Sequence, residues 1–256
     1  MKTKLFLFIC LLMATVCSKA QEANLKMKFD FSNVTGTSVK DDVSGIAATL
    51  VNNAKVMSMG KYKVLDLGNG TGYLNMTAAA GKVFSQNDDF SISVYYRVNE
   101  EASLSGNGFF LWSFATTENT TATAGKYSAY RLNAQRFASS NGGYQNETGM
   151  EMGTASDKGR WIHVAYTEKG GKGVLYIDGK AVKTKTGMHK NSTNFGSIVV
   201  NHCWLGRAPF TADKYLTQTL ITDFRYYGGC LTAEEIAELA KETEILEYEM
   251  IKGDGL

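Results

Sequence analysis

Proline is almost missing: the 256-residue chain has one, against about 5% in an average protein. Proline-rich linkers and polyproline tracts are thereby excluded. No charge of one sign dominates either, with 27 Lys+Arg against 25 Asp+Glu and a formal net charge of +2. These charges are spread rather than blocked, so the chain has no basic stripe of the kind that binds nucleic acid. Histidine is scarce at three residues and cysteine at four. At unrelated spacings they offer no zinc-ligand set. What the chain does have is 44% hydrophobic residues, ample material for a buried core, which excludes disorder of the whole.

The one long apolar run stands at the start. Lys2 and Lys4 precede twelve residues from Leu5 to Val16, and Ser18-Lys19-Ala20 places small residues at −3 and −1. This is the layout of a secretory signal peptide, with cleavage expected after Ala20. Twelve residues are too few for a span of about 30 Å of hydrocarbon, which disfavours a membrane anchor. Acylation at Cys17 is disfavoured by Val16, which stands where a small residue is wanted. The expectation is a secreted, periplasmic or cell-surface protein with no membrane span. Removal of residues 1–20 takes three lysines, turning the net charge to −1, and leaves only Cys203 and Cys230. An exporting route permits a disulfide; the two cysteines either pair or serve as small buried hydrophobes.

Beyond the leader, the dominant period is two. Phe90, Ile92, Val94, Tyr96 and Val98 alternate with Ser91, Ser93, Tyr95 and Arg97, the pattern of a strand with one face in a core. Strands are expected at Phe109–Phe114, Tyr127–Phe137, Trp161–Thr167, Val174–Asp178, Ile198–Gly206 and Leu220–Tyr227, with Leu25–Phe31 and Val64–Leu67 near the start. Lys169 to Gly173 closes one hairpin, and Asp178-Gly179 makes a tight turn in which glycine is free to take positive φ. Helix signals are few. Met76–Phe84 can hold a helical turn, while Thr232-Ala-Glu-Glu235 matches a capping box ahead of Ile236, Leu239, Ala240 and Thr243 on one face. Ile245–Met250 alternates and reads as a last strand. The seven glutamates from Glu234 to Glu249 read as a solvated face. Many short strands with a single clear helix give an all-β antiparallel two-sheet sandwich with a short C-terminal helix, and residues 21–256 form one domain.

The order of several segments resembles a known family. Trp161-Ile-His-Val-Ala-Tyr, Leu175-Tyr-Ile-Asp-Gly179, Trp204-Leu-Gly-Arg207, Ile221-Thr-Asp-Phe-Arg-Tyr-Tyr227 and Leu231-Thr-Ala-Glu-Glu-Ile236 follow Phe29-Asp-Phe31, Ser44-Gly45 with Ala48-Thr49-Leu50, and Phe90-Ser-Ile-Ser93. Together they resemble the laminin-G-like branch of the concanavalin A-like lectin/glucanase superfamily, of bacterial exported type. The resemblance implies a jelly roll of two curved sheets and an association with glycan degradation. The matched residues themselves have structural jobs, so fold alone does not deliver function.

Glucanases of that superfamily use Glu-x-Asp-x-(x)-Glu, which points three carboxylates onto one face of a strand. The chain has no such run: Glu147-Thr-Gly-Met-Glu151 lacks the central aspartate, and so do Glu244, Glu247 and Glu249. Nor does it carry Gly-x-Ser-x-Gly, a Walker loop, His-Glu-x-x-His or a dinucleotide fingerprint. His163, within a strand, reads as a structural histidine. The reading is therefore a non-catalytic, lectin-like module for an oligo- or polysaccharide. A glycoside hydrolase with carboxylates drawn from distant strands and an adhesion module with a protein partner at the cell surface are its rivals.

A sugar site wants a flat ring for the apolar sugar face and planar polar groups for hydroxyls. Tyr95, Arg97, Trp112, Tyr130, Arg131, Asn133, Gln135 and Tyr144 are the candidates. Tyr95 and Arg97 lead because alternation turns them from the core. The candidate cofactor is a structural calcium, with hard oxygen ligands from Asp41, Asp42 and Asp223. Six Asn-x-Ser/Thr sequons, at Asn33, Asn69, Asn75, Asn119, Asn146 and Asn191, read as polar turn sequence given the bacterial resemblance.

Overall fold

The computed structural model describes residues 25–254. The expected leader, residues 1–20, lies outside the described residues. Two antiparallel sheets pack face to face. Sheet A runs, in spatial order, Lys180–Thr186, Lys172–Ile177, Ile162–Lys169, Phe90–Val98, Thr219–Tyr227, Tyr62–Asp66 and Lys55–Met59, with Leu25–Phe29 also paired to Thr219–Tyr227. Sheet B runs Glu147–Glu151, Arg136–Ser140, Tyr127–Arg131, Phe110–Ala115, His202–Leu205, Tyr73–Asn75, Ala47–Val51, Ser38–Lys40 and Val34–Thr35. The expected sandwich is what forms.

The core lies between the sheets. Phe90, Ile92, Val94, Tyr96 and Val98 all enter it from sheet A, as their alternation demands, and meet Trp112, Phe114, Tyr130, Phe137, Cys203 and Leu205 from sheet B. Helix α1, Thr77–Ser85, plugs one end with Phe84, whose ring stacks on Phe114 at 4.2 Å. A second short helix, α2, spans Asn191–Phe195. The Asp178-Gly179 turn takes φ of 47° and 76°, a left-handed pair matched to the twist of the hairpin it closes. Among the described residues, no helix is long and apolar enough to cross a membrane.

Three segments differ from the sequence reading. Tyr127–Phe137 is not one strand: a turn with Gln135 at φ 43° splits it into the hairpin Tyr127–Arg131 and Arg136–Ser140. Of Ile198–Gly206, only His202–Leu205 is strand, and Ile198 and Val199 are exposed. The third concerns the C-terminus. The capping box forms as read, with the Thr232 hydroxyl accepting from the Glu235 amide and the Glu235 carboxylate from the Thr232 amide, and it starts α3, Ala233–Ala240. Ile245–Met250, expected as a strand, belongs instead to a second helix, α4, Glu242–Asp254. Leu246 and Met250 are four residues apart, a spacing that suits both periods, and both pack inward with Met59, Val64, Tyr95 and Trp161.

Helices α3 and α4 lie over the outer face of sheet A. Ile236 and Leu239 join Ala165, Tyr176 and Tyr227, and the Trp161 amide donates to Glu247 at 2.9 Å. The outer face of sheet B has no such cover from any described helix.

Candidate functional site

Alternation places His202, Trp204, Ser113, Ala115, Tyr127, Ala129, Arg131, Arg136 and Ala138 on the outer face of sheet B, opposite its core-facing residues. Register aligns three rows across this face. In the middle row Ser113 pairs with Ala129, Ala129 with Ala138, and Ala138 with Gly149. These side chains are small, so they floor a trough. On one flank Phe110 faces Arg131 and Arg131 faces Arg136. On the other, Tyr127 and Glu147 each sit opposite Ser140. Phe110 reaches this face because the ladder slips between Tyr130 and Arg131, and a bulge of this kind re-aims the side chains beyond it.

The result is a cleft of about 370 Å³ lined by Asn107, Phe110, Tyr127, Ala129, Arg131, Arg136, Ala138, Tyr144, Glu147, Phe210 and Asp213. Phe210 forms its wall. Its ring meets Phe110 at 5.9 Å, Tyr127 edge-on at 5.3 Å and Tyr144 at 6.5 Å. The chain's single proline, Pro209, precedes it, and the Pro209 carbonyl accepts from the Thr120 amide at 3.0 Å. A fixed φ and this bond hold the wall in place. Tyr144, 51% exposed, sits at the mouth, on a loop tied by the Tyr144 amide to the Thr121 carbonyl at 3.0 Å.

Charge in the cleft is arranged unevenly. Glu147 accepts from the Tyr127 hydroxyl with one oxygen and from the Arg136 guanidinium with the other, and Arg136 also reaches Glu151 at 3.3 Å. Burial, then the hydrogen bond to Glu147, pushes the Tyr127 phenol upward, so it stays a donor. Across the cleft, burial raises the Asp213 carboxyl above its ordinary value, with the charge of Arg131 opposing.

Of the residues proposed from sequence, Arg131 and Tyr144 line this cleft. The others do not. Tyr95 does turn from the core, but α3 and α4 close over it: it is 1% exposed and its hydroxyl donates to the Leu239 carbonyl at 2.5 Å. Arg97 shares that outer face and donates to the Gly159 carbonyl at 2.8 Å. Trp112 and Tyr130 are fully buried between the sheets, stacked on one another at 4.8 Å. Asn133 and Gln135 sit in the turn after Arg131, bonded to the Gly106 carbonyl at 2.6 Å and the Ala155 carbonyl at 3.3 Å. Phe110, Tyr127, Phe210, Glu147 and Asp213 escaped the sequence reading. The traces they left were alanines at alternate outward positions, Ala129 and Ala138, and a lone proline beside an aromatic ring.

The calcium candidates do not fit an ion. Asp41 is 2% exposed and its carboxylate accepts from the amides of Lys28, Val43 and Ser44 and from the Ser44 hydroxyl. Those bonds close a turn and leave it no free lone pair. Asp223 is paired in a two-pronged contact with Arg225, 2.8 Å at Nε. Asp42 lies beside Asp30 instead; burial and that carboxylate push it up to about 6. No three His, Cys, Asp or Glu side chains converge on a metal position among the described residues. Cys203 and Cys230 do not pair, since Cys203 is in the core and Cys230 is exposed. His163 is likewise structural, bonded to the Ser93 hydroxyl at 2.8 Å beneath α3 and α4, where burial pushes it down to about 3.

The fold recurs in solved structures. Domain 4 of AbnA, a GH43 extracellular arabinanase from Geobacillus stearothermophilus, in complex with arabinotriose, superposes with a TM-score of 0.64 at 16% identity, over 85% of this chain and 99% of that one. Trypanosoma rangeli sialidase in complex with sialic acid gives 0.60 at 16% identity, over 88% of this chain but only 34% of its own. A botulinum neurotoxin type C structure gives 0.61 at 17%, over 90% and 53%. At these identities the likeness is one of fold. No curated protein matches the sequence. The family model described as concanavalin A-like lectin/glucanases superfamily matches residues 68–237, more than half of the chain. The chain belongs to that superfamily.

Proposed function

We propose that the protein is an exported carbohydrate-binding module whose ligand lies in the sheet B cleft. Residues 1–20 are removed as a signal peptide, and residues 21–256 act as one secreted, periplasmic or cell-surface domain. The observation that carries the reading is the cleft itself: an aromatic wall of Phe110, Phe210 and Tyr144 stands beside arginine over a floor of alanine. A sugar ring presents an apolar face to such a wall and hydroxyls to such donors. Arabinotriose in the related arabinanase domain supports the same choice of ligand class.

Binding rather than hydrolysis is favoured by the state of the carboxylates. A glycosidase needs two, one poised as acid and one as base or nucleophile. Here Glu147 has both oxygens engaged by Tyr127 and Arg136, which leaves Asp213 alone. Calcium has no part in the reading, because Asp41 and Asp223 are spent on internal contacts.

The test is a glycan array with residues 21–256, run with calcium and with chelator, beside a reducing-sugar release assay. Binding that survives the chelator and yields no product is expected. Product release shows a hydrolase. Failure to bind any glycan, with an unrelated protein captured instead, shows an adhesion module.

A further inference from the structure

The geometry points to an uncharged sugar as the ligand of this cleft, with neighbouring hydroxyls gripped between the guanidinium of Arg131 and the carboxylate of Asp213; the inference rests on the carbohydrate-binding reading above. Four of the chain's six arginines, Arg136, Arg160, Arg207 and Arg225, are ion-paired, and Arg97 is bonded to a carbonyl. Arg131 differs. It has no ion pair and no carbonyl partner among the described residues. Its Nε, like that of Arg97, is buried without a hydrogen bond, but Arg131 alone of the two lines the cleft. Guanidinium donors left without acceptors in a folded interior are uncommon. Asp213 lines the same cleft, and it is partly withdrawn from water. Burial raises its carboxyl, the cost of desolvating a charge without donors around it.

The two groups are fixed against each other by the backbone of one residue. The Phe109 amide donates to the Lys214 carbonyl at 3.0 Å, and the Phe109 carbonyl accepts from the Leu132 amide at 2.9 Å. Asp213 and Arg131 are the chain neighbours of those two partners, so both are anchored to Phe109. They do not close on one another into an ion pair. A donor fork and an acceptor therefore flank one space beside the Phe110 and Phe210 rings. A hydroxyl both accepts and donates, so adjacent hydroxyls on a sugar satisfy both groups at once. A carboxylate or sulfate satisfies Arg131 alone and brings its charge against Asp213 and Glu147. Two cations, Arg131 and Arg136, stand against these two anions, so the cleft offers no excess charge to an acidic ligand.

The sign of one substitution decides the matter. Arabinotriose, xylotriose and cellotriose serve as neutral probes, and trigalacturonate and sialyllactose as acidic ones, with binding measured by calorimetry on residues 21–256. A neutral probe is expected to bind. Asp213→Asn and Arg131→Gln should each weaken it about tenfold or more, the usual effect of losing a hydrogen bond to a charged group. Asp213→Ser, too short to cross the space, should weaken it as well, and thermal melts confirm that each variant is folded. An acidic probe bound in preference, or tightened by Asp213→Asn, overturns the inference while leaving a carbohydrate site in place. No binding of either class by the parent chain overturns both the inference and the reading beneath it.

Discussion

Each sheet of the sandwich turns a face with aromatic side chains away from the core, and the two faces are covered in different ways. On sheet A, Tyr95, Trp161 and Tyr227 are each no more than 2% exposed. The chain returns as α3 and α4 to cover them, and polar groups bind the cover down: Tyr95 to the Leu239 carbonyl, and Ser91 to the Gly229 carbonyl and the Leu231 amide. On sheet B, Phe110 and Tyr127 are nearly as buried, at 5% and 1% exposure. The loop of Phe210 lies over them rather than a helix, and a cleft stays open beside them. The same alternation produces both faces. What separates them is how the late chain returns, as two helices over one sheet and as the short Phe210 loop over part of the other. A strand pattern therefore says which side chains leave the core but not which of them reach water.

The largest expected effect breaks the covered face. Leu246 is fully buried and pins α4 onto Met59, Val64, Tyr95 and Trp161. Leu246→Ala should cost about 3 kcal/mol, the middle of the range for truncating a buried leucine, read from urea unfolding. Affinity of the folded fraction for a glycan should not change, because the cleft lies on the other sheet. A parallel loss of affinity would mean that the two faces are coupled.

The dryness of the covered face can be read through His163. Its folded-state value of about 3 lies below the ordinary 6.5, with burial the main cause and Arg225 adding to it. The unfolded chain therefore takes up a proton that the folded chain refuses. This contribution to stability is complete above about pH 6.5 and is lost as pH falls toward 3. At pH 5 the loss is about 2 kcal/mol. His163→Gln keeps a polar partner for Ser93 but does not titrate, so its unfolding free energy should fall less than the parent's between pH 7 and 5. Equal slopes would mean that water reaches the histidine beneath the helices.

A matched pair of insertions sharpens the contrast further. Ala165 faces α3 from sheet A, and Ala138 floors the cleft on sheet B. Leucine at 165 must force the helices outward, at about 2 kcal/mol. Ala138 is buried too but borders the cleft instead of a helix, so leucine there can extend into the cleft and should cost less, about 1 kcal/mol. It occupies the sugar's place, however, and affinity should drop at least about tenfold. If Ala138→Leu leaves glycan binding intact, the ligand is not in this cleft.

Much of the sandwich was legible because strands write their burial into every second residue. Phe90 to Val98 fixed its own core face, and Thr232 and Glu235 fixed the start of α3. The error at α4 has a physical origin: Leu246 and Met250 are spaced four apart, which a strand and a helix both satisfy, and only the third dimension decides. The site was harder to see. Aromatic residues point to ligand only when they are exposed, and for Trp112 and Tyr130 exposure depends on the partner sheet. A floor of alanine and glycine is invisible to a search for chemically active side chains, although Ala129, Ala138 and Gly149 are what make room for a ligand. Phe210 and Asp213 come from a loop far along the chain, brought over the trough by the backbone bonds of Pro209 and Lys214. Sequence order carries no trace of that proximity.

The smallest expected effect concerns Tyr144, at the boundary between cleft and solvent. Its ring stands 6.5 Å from Phe210 and is about half exposed at the rim, so a sugar in the cleft covers only part of it. Its loop is held by main-chain bonds from Tyr144 to Thr121 and from Gln145 to Ala122, which do not depend on the side chain. Tyr144→Ala should therefore leave the unfolding free energy within about 0.5 kcal/mol of the parent. It should weaken a triose about threefold, the size expected of one partly exposed stacking contact. Tyr95→Phe on sheet A is its counterpart: it strands the buried Leu239 carbonyl at about 1 kcal/mol and should leave the triose affinity unchanged. The open face then answers to a ring deletion through the ligand alone, and the covered face to a single hydroxyl through stability alone. Were Tyr144→Ala to unsettle the fold instead, its ring would belong to the packing of the Thr117–Lys126 loop, and the aromatic wall of the cleft would reduce to Phe110 and Phe210.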